Sequence, residues 1–248
     1  MVSAQKSPER NEQFRIISNF RDMFTDAADP IISVDTKKKE LVGNFKNPGR
    51  RWENDETPVN DHDFLSLAKG RAIPYSIYDM GLNEGTVVVG TFYDTPEFAV
   101  SSISKWWRYR GAKAYPNCDA LLILADAGGS NGYRTRAWKY FLYTKLSKPY
   151  NLILNVVHYP PGASKWNPAD HRLHSEISKN WQACPLDSYE TILKRIRTTK
   201  TSTGLSVRAY LDTRKYQKGI MIPDELMAQI PLQPFEFLPQ WNYSIFPN

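Results

Sequence analysis

Asp126 closes an apolar run, Leu121-Leu122-Ile123-Leu124-Ala125, and the chain continues at once as Ala127-Gly128-Gly129-Ser130-Asn131-Gly132. A buried strand that delivers a carboxylate onto a glycine-rich turn is how α/β enzymes present an acid at a sheet's carboxyl edge. The same grammar occurs earlier, where Pro30-Ile31-Ile32-Ser33-Val34 leads into Asp35. An aspartate after one strand is more often a turn former or a helix cap, so it is the repetition that carries the chemical reading. A third acid, Asp170, stands in the first turn of a segment with helical spacing that runs to Trp181. Three carboxylates converging from two strands and one helix can hold a pair of hard divalent cations through oxygen ligands. Metals roughly 3.5 to 4 Å apart in such sites stabilise both the attacking and the leaving oxygen of a phosphodiester displacement. The acids then serve as ligands rather than as general acid and base.

The elements that must position these acids follow from periodicity. Phe14, Ile17, Phe20 and Phe24 share one helical face, and Ser7-Pro8-Glu9 marks a start, so residues 1–30 read as an amino-terminal helix. Ile31 to Asp35 and Leu41 to Phe45 read as two short strands around a lysine-rich turn, which predicts a hairpin. Gly49 to Asp61 is polar and reads as a loop, and Ile73 to Asp79 and Thr86 to Tyr93 read as further strands. Thr95-Pro96-Glu97 supplies a cap, a proline for the first turn and an acid ahead of a helix from Phe98 to Arg110, with Trp106 and Trp107 in the core. Leu121 to Ala125 is the next strand, Tyr133 to Leu146 the next helix, and Tyr150 to Val157 the following strand. The prolines of His158 to Pro168 forbid regular structure before the segment that carries Asp170. The order predicts a mixed sheet of about five strands flanked by helices.

With 248 residues, 41% of them hydrophobic and seven of them Trp, the chain can build one domain with a sizeable core. No segment has the apolar length of a membrane span, and Met1 to Lys6 has no apolar core of a signal peptide. A cytoplasmic, nucleoid-associated protein is expected. Cys118 and Cys184 lack CxxC context and read as structural thiols, and His171 and His174 lack the clustered partners of a zinc site. The glycines at 128, 129 and 132 match neither phosphate-loop nor dinucleotide spacing, so no nucleotide cofactor is expected.

The net charge of +6 suits a polyanionic partner. Its distribution is more informative than its sum. Lys194, Arg195, Arg197, Lys200, Arg208, Arg214, Lys215 and Lys218 crowd the stretch from Thr191 to Gly219, Lys37 to Lys39 with Lys46, Arg50 and Arg51 form a second group, and Lys105, Arg108, Arg110 and Lys113 a third. Any one run is as readily a solvated surface as a nucleic-acid contact; three of them beside paired aspartates point to phosphate.

Three segments carry a resemblance: Ile32 to Asn47 with its Ser33-Val34-Asp35-Thr36-Lys37-Lys38-Lys39 core, Ala125 to Arg134, and Pro160-Pro161-Gly162-Ala163-Ser164-Lys165-Trp166-Asn167-Pro168-Ala169-Asp170-His171-Arg172-Leu173. Together with Asn180-Trp181 and Tyr210 to Thr213, they resemble the DDE transposases of an Azo-type bacterial insertion-sequence family, distantly akin to mariner elements. The resemblance implies an RNase H-like catalytic domain over residues 31–248 with a basic carboxy-terminal extension. It also implies two Mg²⁺ or Mn²⁺ ions, transposon-end and target DNA as partners, and a possible homodimer on paired ends. By it, Asp35 and Asp126 are the first two catalytic and metal-binding acids and Asp170 the third, where the family usually shows glutamate. Glu176 is the competing third acid, but six residues along a helix is roughly 240° of rotation, so both cannot face the same metals.

Candidate DNA contacts are Lys37, Lys38, Asn131, Lys165, Trp166, Asn167, Arg172, Lys194, Arg195 and Arg197. Asn131 reads first as a cap for the following helix and second as a DNA contact, and Trp166 reads equally as simple packing. The family normally carries a helical DNA-binding region ahead of the catalytic domain, and only about 30 residues precede it here. That leaves a catalytic fragment, a frame-disrupted copy or a domain adapted to another task as the expectations. The implied activity is hydrolysis at transposon ends and strand transfer by the freed 3′ hydroxyl. The alternatives are a nuclease that joins nothing and a catalytically silent DNA-binding module.

Overall fold

The computed structural model describes residues 8–50, 52 and 58–248. Ser7, expected to open the first helix, Arg51 of the second basic group and part of the Gly49–Asp61 loop lie outside the described residues. The strands are β1 (Ile31–Thr36), β2 (Glu40–Val42), β3 (Gly70–Asp79), β4 (Glu84–Gly90), β5 (Ala120–Ala125), β6 (Ile153–His158), β7 (Ser206–Asp212), β8 (Leu232–Pro234) and β9 (Asn242–Ile245). They form one sheet in the order β7-β4-β3-β1-β5-β6-β9-β8, with β2 paired to β3. β1, β5 and β6 are mutually parallel, and β3 is antiparallel to both β1 and β4. The middle five strands, covered by helices on both faces, are the mixed RNase H-like sheet that was expected.

Both faces of β5 are buried, which explains its unbroken apolar run. Leu121 and Ile123 point into a core built with Ile32, Val34 and Val156 and with the helices α2 (Pro96–Trp106) and α3 (Arg136–Leu142). Leu122 and Leu124 point the other way, against Ile17 and Phe24 of α1 (Pro8–Asp26). A third core lies under α4 (Ser175–Asn180) and α5 (Tyr189–Arg197), where Ile177, Ile192 and Ile196 meet Val87, Val89 and Val207. The Thr95 cap forms as expected: its hydroxyl accepts the Phe98 N–H at 3.2 Å, with Pro96 in the first turn.

Four local expectations need correction. β1 and β2 do not form a hairpin; they lie end to end along the same edge of β3, Thr36 opposite Tyr75 and Glu40 opposite Ala72. The Lys37 N–H continues the ladder to Pro74 O at 2.9 Å, and β1–β2 then takes four steps where β3 takes three, a bulge that bends the strand beside Asp35. Second, the helix expected from Tyr133 begins at Arg136, because a turn from Gly132 to Thr135 occupies the intervening residues. Asn131 does not cap it; Thr135 stands at that position without a side-chain bond. Third, Asp170 sits in a π-helical segment, Ala169–His174, that precedes α4. Fourth, the sheet extends past five strands, because part of the basic stretch from Thr191 to Gly219 is the amphipathic α5 and the strand β7, which runs parallel to β4.

Candidate active site

Val34 and Ala125 are register partners on the adjacent parallel strands β1 and β5. The next residue on each strand is an aspartate, so Asp35 and Asp126 leave the sheet side by side at its carboxyl edge. Close approach of two carboxylates in a half-buried place is costly. The Asp35 carboxyl accordingly titrates at about 7, raised first by burial and then by the charge of Asp126, with Asp170 and Asp94 adding to it and the Thr36 N–H at 2.8 Å opposing. Asp170 moves the other way: a hydrogen bond from His174 holds its carboxyl below the usual range, with Lys37 among the contributing charges.

A cleft of about 1130 Å³ opens at this edge, with Asp35, Asp94 and Asp126 on its wall among Lys37, Lys38, Lys39, Arg71 and Arg134. Asp170 is not on that wall. Its carboxylate is turned to His174, Oδ1 to Nδ1 at 3.4 Å, and His174 is itself buried, which depresses its pKa. Glu176 pairs with Lys179 at 2.6 Å on its own helix and is not among the charges acting on Asp35. Asp170 is thus a helix-borne carboxylate within electrostatic reach of Asp35.

The donor chemistry of Asp35 and Asp126 fits a hard divalent cation: oxygen ligands only, half-buried, with a charge repulsion that a cation would relieve. Among the described residues, no three carboxylate, histidine or cysteine side chains lie close enough to hold one ion. The structure therefore presents two neighbouring carboxylates, with Asp94 on the same wall and Asp170 turned to His174.

The remaining candidates divide between surface and interior. Lys38, Lys165 and Arg172 are exposed, as are Lys194 and the indole of Trp166, which also packs edge-on against Phe14 at 5.9 Å between ring centres. Lys37 is buried, paired with Glu40 at 3.1 Å, its ammonium 4.4 Å from the Trp181 ring centre. Burial lowers its pKa. Arg195 is half-buried, and the Arg197 guanidinium donates to Ala209 O at 2.7 and 3.0 Å, bracing α5 on β7. Asn131 lines the cleft but is 2% exposed, and its carbonyl lies 3.0 Å from His158 Nε2. Asn167 is 0% exposed; its carboxamide faces inward, so it does not offer a surface to DNA.

Sequence reasoning passed over two residues. Asp94 accepts the Thr36 hydroxyl at 3.2 Å and sits 3.9 Å from the Lys39 ammonium; the available signal was its place between the end of a strand and the Thr95 cap, at the same sheet edge as Asp35. His174 was weighed only as a zinc ligand, although its spacing of four from Asp170 on a helical segment is that of a contacting pair.

From residue 1 to 247 the sequence matches the family described as the Rhodopirellula transposase DDE domain. The chain belongs to that family. This is the DDE transposase relationship that the three motif segments implied. Among solved structures, the Mos1 transposase paired-end complex with left transposon end is similar at 13% identity and a TM-score of 0.46, over 78% of this chain and 55% of that one. The Mos1 mariner paired-end complex with Mn aligns at 14% identity and 0.47, over 77% and 54%, and the Mos1 strand transfer complex at 15% and 0.49, over 78% and 57%. The chain spans somewhat over half the length of these solved transposase chains. No curated protein matches it. No helix among the described residues is long and apolar enough to cross a membrane.

Proposed function

We propose that this transposase DDE domain catalyses phosphodiester hydrolysis at transposon ends and transfer of the freed 3′ hydroxyl to target DNA, using Mg²⁺ or Mn²⁺ held by Asp35, Asp126 and Asp170. The observation that carries the reading is the in-register delivery of Asp35 and Asp126 from neighbouring parallel strands into one basic-rimmed cleft. When bound, the ions would supply Lewis acidity at the scissile phosphate and a lowered pKa for an attacking hydroxyl. The chain's own residues do the rest. Lys38, Lys39, Arg71 and Arg134 on the cleft wall attract and align the anionic backbone without reading base sequence. Asp170, whose carboxyl is held below the usual range by His174, would supply the third oxygen ligand by turning from that histidine.

Supercoiled plasmid incubated with the protein and Mg²⁺ or Mn²⁺ provides the test. Nicking and joining that both vanish in Asp126→Asn support the proposal. Nicking with no new junction, on substrate that carries the cognate ends, would reassign the protein as a nuclease of the same fold. DNA binding without cleavage under either metal would leave it a DNA-binding module.

A further inference from the structure

Asn167 lies in the proline-rich connector between β6 and the Asp170 segment, yet its side chain is fully buried. Its bonds reach three separate pieces of chain. Nδ2 donates to Asp126 Oδ1 at 2.9 Å and to Val34 O at 3.4 Å. Oδ1 accepts from the Ser33 hydroxyl and from the Ala169 N–H at 3.1 Å, and the Ser33 oxygen also accepts that N–H at 3.2 Å. The orientation of the carboxamide is not arbitrary, because a carbonyl and a carboxylate require donors on one side and a backbone N–H requires an acceptor on the other. Three of its four partners are one of the acids or an immediate chain neighbour of one: Val34 precedes Asp35, Asp126 is bonded directly, and Ala169 precedes Asp170; the fourth, Ser33, lies two residues before Asp35.

We infer that Asn167 is a positioning residue for the metal site, which orients the Asp126 carboxylate and sets the Asp170 segment against β1. The inference rests on the metal-dependent reading above. Burial makes the arrangement stiff, since a buried donor or acceptor left without a partner carries a full desolvation penalty. Loss of an outer partner of a ligating group costs roughly 10- to 100-fold in metal affinity in comparable sites.

The test measures Mn²⁺ alone binding to the full chain, by the loss of the free-ion electron paramagnetic resonance signal, alongside thermal melting. Asn167→Asp keeps the shape and the acceptor but places an oxygen against Asp126; Asn167→Leu removes both functions without adding charge. Both are expected to bind Mn²⁺ at least about tenfold more weakly at temperatures where their melting curves show a folded protein. A purely structural role would lower the melting temperature and leave affinity unchanged, so folded variants with wild-type affinity overturn the inference. Ser33→Ala removes one clamp on the Asn167 carboxamide without touching a carboxylate. It is expected to weaken Mn²⁺ several-fold, and unchanged affinity there overturns the inference even if neither Asn167 variant folds. Asp126→Asn separates the two levels: wild type and Asp126→Asn binding Mn²⁺ alike, or neither binding it, sinks the metal-dependent reading and this inference with it.

Discussion

The Asp170 carboxylate stands 3.4 Å from His174 Nδ1, four residues further along the chain, while Asp35 and Asp126 share the cleft wall without it. Asp170 is therefore close enough to act on Asp35 electrostatically but is held by its own helical segment. Asp170→Asn is expected to lower plasmid nicking by more than the roughly 10- to 100-fold typical of losing an outer-shell partner, whereas Glu176→Gln stays near wild type because its carboxylate is engaged by Lys179. Initial nicking rates in Mn²⁺ decide it, and the opposite ranking would move the third acid to Glu176.

Asp35 predicts a stability that depends on pH in a particular direction. Its folded carboxyl titrates at about 7 against an ordinary aspartate value of 3.8, so the folded state binds this proton more tightly than the unfolded one. The stabilisation is fully present below about pH 4 and is lost as the pH rises through 7. Asp35→Asn should accordingly melt several degrees above wild type at pH 8 without metal, on a scale of about 2–4 °C per kcal/mol for a chain of this size, and show little gain at pH 4. Adding Mn²⁺ at pH 8 should raise the wild-type melting temperature and leave Asp35→Asn where it was.

His158 gives the opposite slope. Both ring nitrogens face carbonyl oxygens, Nδ1 at 2.9 Å from Trp241 and Nε2 at 3.0 Å from Asn131, and burial depresses its pKa to about 4. The neutral ring is favoured in the fold, so its contribution is present above about pH 6.5 and is lost as the pH falls through 6.5 towards 4. Urea midpoints measured for wild type and His158→Gln should differ at pH 7 and converge towards pH 4; a gap that stays constant would show that the ring does not titrate in this way.

DNA binding should fall steeply with salt, each phosphate contact adding about 0.9 to the logarithmic slope. Lys38→Ala and Lys194→Ala, both at exposed positions, are expected to flatten that slope. Arg197→Ala is expected to lower the melting temperature instead, because its guanidinium holds the Ala209 carbonyl on β7. Titrations at several salt concentrations beside melting curves separate the two classes.

Several features could be read from the chain because they depend on one element at a time. The unbroken apolar run before Asp126 reports a strand buried on both faces, and the Thr95-Pro96 pair reports a helix start, since capping is a contact across three residues. Asn167 could not be read this way. In a connector crowded with prolines it looks like a surface amide, and its burial depends on the connector folding back over β1. The continuation of β1 into β2 was equally hidden, because a lysine-rich turn and a strand bulge look alike until the partner strand is known.

What the sequence determined by itself, then, was the buried central strands, the capped helix after Thr95 and the family, each carried by local pattern or contiguous motif, and it singled out Asp35, Asp126 and Asp170 as candidates. The tertiary structure decided which strands pair, including the parallel docking of β7 on β4, and placed Asp35 beside Asp126 in register while turning Asp170 to His174. The physical reason is that periodicity records which side of an element is buried, whereas register and side-chain orientation depend on groups far apart in the chain that meet only when the sheet has formed.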